Sequence, residues 1–156
     1  MNSLELGLIG NSRTSALIDR NARIVWWCYP TFDSDPVCCR LMQPDDDTPA
    51  YGHIDVGFDK IRQADQYYER NSAVLVTRFG DNAHNVIEII DFAPCFPMHD
   101  RLFTPSMIVR IIRRVAGRPR ITLRIRPAAN YGGDVPQVLA GAHHISYKGS
   151  EQTLRV

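Results

Sequence analysis

Along most of the chain, apolar and polar residues alternate with period two in short runs, and turn-forming residues recur between the runs. Half-buried strands of an antiparallel β-sandwich have this pattern, and helical periodicity is nearly absent. The runs predict strands over Leu4–Ile9, Ser15–Asp19, Arg23–Trp27, His53–Phe58, Ile61–Tyr67, Ala73–Phe79, Asn85–Phe92, Met107–Val115, Arg120–Arg126, His143–Tyr147 and Gln152–Val156. Asp19-Arg20-Asn21-Ala22 and Gly80-Asp81-Asn82 are tight-turn material, because Asn and Asp tolerate positive φ. Met107–Val115 (MIVRIIRRV) is apolar on both phases at its start, which predicts a central strand covered on both faces and among the least exposed segments. One short helix is predicted over Asp35–Met42, with Asp35 capping the free amides and Pro36 at the first helical position, ending before Pro44.

A length of 156 residues suits one hydrophobic core, so residues 1–156 are read as a single domain. With 44% apolar and 22% charged residues the chain lies far from the compositions that stay disordered. Lys plus Arg number 18 against 17 Asp plus Glu, which leaves no global field for nucleic acid or an anionic membrane, and neither is expected as a partner. The local excess is Arg110, Arg113, Arg114, Arg118, Arg120, Arg124 and Arg126, read as a solvated strand face from the two-residue spacing of the last two. No run approaches the ~18 apolar residues that span a bilayer. The opening MNSLELGLIGNSR lacks the basic region and apolar core of a secretory signal, so a cytoplasmic location is the expectation. Cys28, Cys38, Cys39 and Cys95 show no framework spacing and are expected as thiols.

The standard catalytic and binding constellations are largely missing. Gly132-Gly133 is a turn and not a phosphate loop, neither CxxC nor HxxxH occurs, and no metal or cofactor is expected. The triplet Asp45–Asp47 is consecutive, without the alternation and closing Glu of a calcium loop, and reads as a solvated turn. Four Glu are present (Glu5, Glu69, Glu88, Glu151), and none is singled out with a partner as the acid and base of a glycosidase.

The densest stretch is IVWWCYPTFDSDPVCCRLM, residues 24–42. With the preceding residues from Gly7 it resembles the opening of prokaryotic glycoside hydrolases of the glucoamylase, glucodextranase and trehalase type, glycoside hydrolase family fifteen. Ile9, Gly10, Arg13, Thr14, Ala16 and Leu17 match an IGxxRTxALV strand; Ile24, Trp26, Cys28, Pro30, Phe32, Asp33, Ser34 and Leu41 match a GSIxWLCxPRFDSPxxFxxLL segment. Ile90-Asp91-Phe92-Ala93-Pro94 looks like the family's TDFMP strand end, Met107–Val115 with Gly117 like its LVRIVEGxxG segment, and Arg124–Tyr131 (RIRPAAN with Tyr131) like its LRPRFDYG. Thr31 departs from the family's Arg before Phe-Asp-Ser.

The resemblance implies an N-terminal, supersandwich-like antiparallel domain, truncated here relative to the full family domain. In the family this domain is joined to an (α/α)6 barrel that carries the catalytic carboxylates. A barrel of twelve helices does not fit in this sequence, so the chain alone is expected to lack the catalytic pair, and the missing barrel is the expected partner. Trehalose or an α-glucan would be met through the full-length enzyme. The expected role is non-catalytic scaffolding, with Phe32, Asp33, Ser34, Trp26 and Arg13 as the candidate substrate-cleft or domain-interface residues. Trp26 or Trp27 would fill the core, and Asp33 and Ser34 would cap the turn before the helix. The alternative is a free-standing carbohydrate-binding or protein-interaction module, which predicts a planar row of exposed aromatics. An unpaired strand edge would also offer a route to a homo-oligomer.

Overall fold

The computed structural model describes residues 5–43, 51–58 and 60–156; the Asp45–Asp47 turn lies outside them. Fifteen strands are present among the described residues: β1 Leu6–Gly10, β2 Ser15–Asp19, β3 Ile24–Cys28, β4 Pro36–Cys38, β5 His53–Phe58, β6 Gln63–Tyr68, β7 Leu75–Gly80, β8 Val86–Phe92, β9 Phe96–Met98, β10 Arg101–Phe103, β11 Val109–Ala116, β12 Ile121–Arg126, β13 Gln137–Ala140, β14 Ile145–Lys148 and β15 Thr153–Arg155. The larger sheet runs β1-β2-β3-β5-β12 with β4 attached to β3, and the second runs β11-β8-β7-β6. A β9–β10 hairpin and a β13-β14-β15 meander complete the all-β architecture.

Alternation determines which residues lie between the sheets. Ile9, Ile18, Ile24, Trp27 and Ile54 of the larger sheet meet Leu75 of the second in one buried cluster, which Leu154 of β15 also joins. Ala22 and Val56 meet Phe79, Ile87 and Ile89 in another, with Phe58 stacked on Phe79 at 6.2 Å. Each Val, Leu, Ile or Phe side chain so removed from water contributes roughly 1.5–3 kcal/mol. A polar tie also crosses between the sheets: fully buried Asp91 of β8 receives Arg110 Nε at 2.7 Å and Nη2 at 3.0 Å, and Arg110 Nη1 reaches the Ile54 carbonyl at 3.4 Å.

Turns follow from Asp side chains. Asp19 Oδ1 accepts from the amides of Asn21 and Arg23, and Asp81 Oδ1 from those of Ala83 and Asn85. The left-handed residues are Ala22 (φ 55°) and His84 (φ 60°), so the acceptor role falls to the predicted Asp while the positive φ falls later in each turn. Gly117, at φ 70° between β11 and β12, could carry no Cβ without striking Asn85, whose Oδ1 accepts from Arg118 N at 2.7 Å.

Three expectations are corrected. The helix over residues 35–42 shrinks to one 3-10 turn, Arg40–Met42, with no side-chain cap, because Pro36–Cys38 pairs with β3 as β4 and its buried side chains join the core. β11 is the edge of the second sheet and not a central strand: Ile112 faces the core, but Ile111 stands 46% exposed on the outer face. The arginines are not one solvated face, since Arg110 is buried against Asp91.

Candidate functional site

The β1–β2 turn, the end of β3, the exit from β8 and the end of β12 all lie at one end of the sandwich. Asn11 organises this end. Its Oδ1 accepts from Arg13 N at 2.9 Å and Thr14 N at 3.1 Å, and its Nδ2 donates to the carbonyls of Pro94 at 2.9 Å and Pro105 at 3.0 Å. Four bonds saturate an Asn side chain and fasten both feet of the segment holding β9–β10 to the β1–β2 turn. Thr14, fully buried, continues the tie: its hydroxyl donates to the Cys28 carbonyl at 3.1 Å and accepts from Trp27 Nε1 at 2.9 Å.

Trp27 is therefore the core tryptophan, edge-on to Tyr29 at 5.5 Å. Trp26 points the other way, half-buried on the outer face of the larger sheet in a cross-strand row with Leu17 and Leu8. Arg13 is exposed and enters the end's framework through its backbone amide.

After the cis Tyr29–Pro30 bond the chain closes a small polar knot. Thr31 Oγ1 donates to Asp33 Oδ1 at 2.6 Å, the Thr31 and Ser34 hydroxyls lie 3.0 Å apart, and Ser34 Oγ accepts from Thr31 N at 3.3 Å. The Thr31 hydroxyl, helped by Asp33's own amide, holds the Asp33 carboxyl below its usual range. Ser34 thus closes the loop on itself and caps no helix. Phe32 projects from the knot, 53% exposed.

Beside it opens a polar cleft of about 360 Å³, lined by Asp33, Ser34 and Asp35 on one side and by Asn130, Glu151 and Gln152 on the other. Gln152 Nε2 donates to the Asp35 carbonyl at 3.2 Å and pins the meander to the knot. Asn130 and Tyr131 hold φ of 50° and 54°, a left-handed pair with a β-carbon on both residues, and Tyr131 is exposed. The β9–β10 hairpin adds the exposed side chains Phe96, Met98, Leu102 and Phe103, with Phe96 and Phe103 5.3 Å apart.

Of the sequence-predicted residues, Phe32, Asp33, Ser34 and Arg13 gather at this end and Trp26 stands apart on the sheet face. Asn11, Thr14, Asn130, Tyr131 and the hairpin aromatics were not anticipated. The Asn-Ser-Arg-Thr run carries an Asx-turn signal for the first two, Asn130 and Tyr131 fall in the segment that resembles LRPRFDYG, and nothing local marks the hairpin aromatics. Cys38 is fully buried and its thiol is pushed well up by burial, so it is inert packing.

The chain is thus an antiparallel sandwich whose loop end is held together by structural hydrogen bonds, and among the described residues no group of three or more His, Cys, Asp or Glu is fit to hold a metal. Residues 3–155 match the model of the trehalase-like N-terminal family, and the chain belongs to that family. It is 28% identical over 150 residues to a trehalase of Thermoplasma volcanium, covering 96% of this chain and 23% of that protein. It is 35% identical over 127 residues to trehalase 1 of Sulfolobus acidocaldarius, covering 81% and 20%. A trehalase of Thermoplasma acidophilum is 25% identical over 140 residues, covering 90% and 23%. The chain thus spans about a fifth to a quarter of the curated relatives it matches. No solved structure matches it.

Proposed function

We propose that this chain serves as the non-catalytic N-terminal domain of a trehalase-like glycoside hydrolase, and that it packs against the catalytic barrel through its loop end. The observation that supports this reading is convergence. Four stretches far apart in sequence, Asn11–Thr14, Cys28–Ser34, Ala93-Pro94 and Arg126–Gly132, carry the family-like motifs and meet at that one end, beside a hairpin with four exposed apolar side chains. A solvated loop end has no need of such a patch, whereas an interface core does. In this reading Phe32 and the hairpin aromatics are the anchors, and Asp33 with Arg13 forms part of the polar rim. The parent reaction is hydrolysis of an α-glucosidic bond by a carboxylic acid and a carboxylate, both supplied by the barrel.

The free-standing carbohydrate module is disfavoured because, apart from the Phe96–Phe103 pair on the hairpin, the exposed aromatics are spread over different parts of the chain, and Tyr67 and Tyr68 are successive residues of β6 and so point to opposite faces. The test is co-expression of this chain with the catalytic remainder of a homologous trehalase. A stable complex is expected, and it should be lost in the Phe103→Asp, Leu102→Asp double variant, while calorimetry of the isolated chain with trehalose or maltose gives no saturable heat. Failure to associate, together with saturable sugar binding by the chain alone, overturns the reading in favour of the module.

A further inference from the structure

On its outer face, at the β3, β5 and β12 side, the larger sheet concentrates positive charge around two buried polar atoms that have no hydrogen-bond partner among the described residues. His53 stands directly opposite Arg126 in the β5–β12 ladder, and Asp55 opposite Arg124, so all four side chains share one face. Arg23 joins them from β3's start, its Nε 3.9 Å from Asp55. Arg40 is brought in by its backbone: its amide donates to the Gly52 carbonyl at 3.0 Å, next to His53, while Gly52 N donates to the Arg126 carbonyl. Arg23 and Arg124 thus flank the one carboxylate, with His53 and Arg126 on the same face, while Arg40 Nη1 also donates to Gln43 Oε1 at 3.4 Å.

Among the described residues, the cationic groups of this face outnumber its one carboxylate. Asp55 is taken up by Arg124, at 2.9 Å through Nε and 2.7 Å through Nη2. Arg23 Nε and His53 Nδ1 are buried without a hydrogen-bond partner, and His53 as a whole is 8% exposed. Burial, with Arg23, Arg126 and Arg40 acting in the same direction against the opposing pull of Asp55, pushes the His53 imidazole below its ordinary range. In its neutral form the imidazole adds no further positive charge, and the tautomer with hydrogen on Nδ1 would donate to a bound oxygen. Buried polar atoms left unpaired are costly, and beside guanidinium groups that outnumber the one carboxylate a multidentate oxyanion meets both deficits at once.

We infer that this face holds a binding site for a small oxyanion of the phosphate or phosphomonoester class, gripped by Arg23, Arg40, Arg126 and His53. Nothing in the family assignment of this chain supplies such a site, and it lies on the sheet face rather than in the cleft beside Asp33. Donors spread over three strands and a turn suit a tetrahedral group with several oxygens better than a two-oxygen carboxylate.

The test is titration of the folded chain with inorganic phosphate, glucose 6-phosphate and acetate at matched ionic strength, followed by calorimetry and by the arginine Nε–H resonances. Saturable phosphate binding that shifts the Arg23 Nε–H signal is expected. Arg126→Gln should weaken it about tenfold, while Arg78→Gln, on an exposed position of the other sheet, leaves it unchanged. Tighter binding of glucose 6-phosphate assigns the source to a phosphorylated sugar, and equal or weaker binding assigns it to free phosphate. The inference is overturned if phosphate, acetate and chloride act alike, or if the Arg23 signal stays put while phosphate binds elsewhere. The resonance readout needs no variant, so misfolding of Arg126→Gln cannot mask the result.

Discussion

Replacing Arg110 by Met is the sharpest probe of how the two sheets are held together. Asp91 is fully buried, and its carboxylate receives two bonds from Arg110, whose side chain is itself only 10% exposed. Met keeps most of the volume but leaves an ionised carboxylate between the sheets without a counter-charge. Breaking one side of such a pair costs about 3–5 kcal/mol. At 2–4 °C per kcal/mol for a chain of this size, melting should fall by roughly 6–20 °C. Desolvation raises the Asp91 carboxyl above its ordinary value by more than Arg110 lowers it, so losing Arg110 should raise it further. The linkage sign follows: a carboxyl whose folded pKa lies above its unfolded value is harmless when protonated, and its penalty grows as pH rises through the folded value. The deficit of Arg110→Met should therefore shrink on acidification toward the carboxylate range. Replacing both partners, as Asp91→Leu with Arg110→Met, should recover most of the loss, since an apolar pair needs no counter-charge. Urea denaturation across pH measures all three variants. A single-variant cost under about 1 kcal/mol, or a deficit that widens in acid, refutes the assignment of Asp91 as an ionised, Arg-dependent group.

Tyr68→Phe should remove the hydroxyl that accepts from Leu8 N at 2.7 Å and donates to Leu8 O at 2.8 Å, lowering stability by about 0.5–1.5 kcal/mol and accelerating hydrogen exchange at Leu8; unchanged exchange there would show that the β1 edge is protected otherwise. Thr31→Ala should let the Asp33 carboxyl return upward toward its ordinary value, seen by carbon NMR titration, with the melting temperature unmoved. His53 is lowered from its ordinary 6.5, so the unfolded chain binds the proton first and stability should decline as pH falls below 6.5; His53→Gln should flatten that limb of a urea-midpoint profile. Asp55 is lowered as well, and its contribution should persist until pH falls below the ordinary carboxylate value of 3.8.

The alternation that predicted strands also recorded burial in β1 and β2, where Ile9, Ala16 and Ile18 are buried and their neighbours are not; in β5 and β12 it found the strand but not its exposure, since His53 and Asp55 are buried and Ile121 and Leu123 are exposed. It failed where short strands carry another signal. Pro36–Cys38 reads as a helix start by its Asp-Pro, yet β3 offers an open edge and the core takes Cys38, so pairing outweighs capping. β11 misled in the opposite way. An apolar residue on the outer face of an edge strand looks, from sequence, like one covered on both sides, and only the strand order shows that no neighbour follows. β9, β10 and β13 are three or four residues long, too short for a period to register.

The loop end was partly legible because its motif residues are consecutive in sequence. Phe32, Asp33 and Ser34 form a self-contained knot closed by Thr31, whose hydroxyl donates to Asp33 and lies 3.0 Å from that of Ser34. What could not be seen was the joining of distant stretches. Asn11 reaches 83 and 94 residues along the chain to Pro94 and Pro105, a link that no window of sequence contains. The basic cluster on the sheet face was hidden for the same reason. Arg23, Arg40, His53 and Arg126 are dispersed over a hundred residues and become one neighbourhood only through the β3-β5-β12 order. Short motifs marked the end of the sandwich that presents exposed apolar side chains, whereas strand order assembled the charged face. The two surfaces therefore answer to different perturbations: the first to apolar-to-charged substitutions on the hairpin, the second to loss of a single guanidinium.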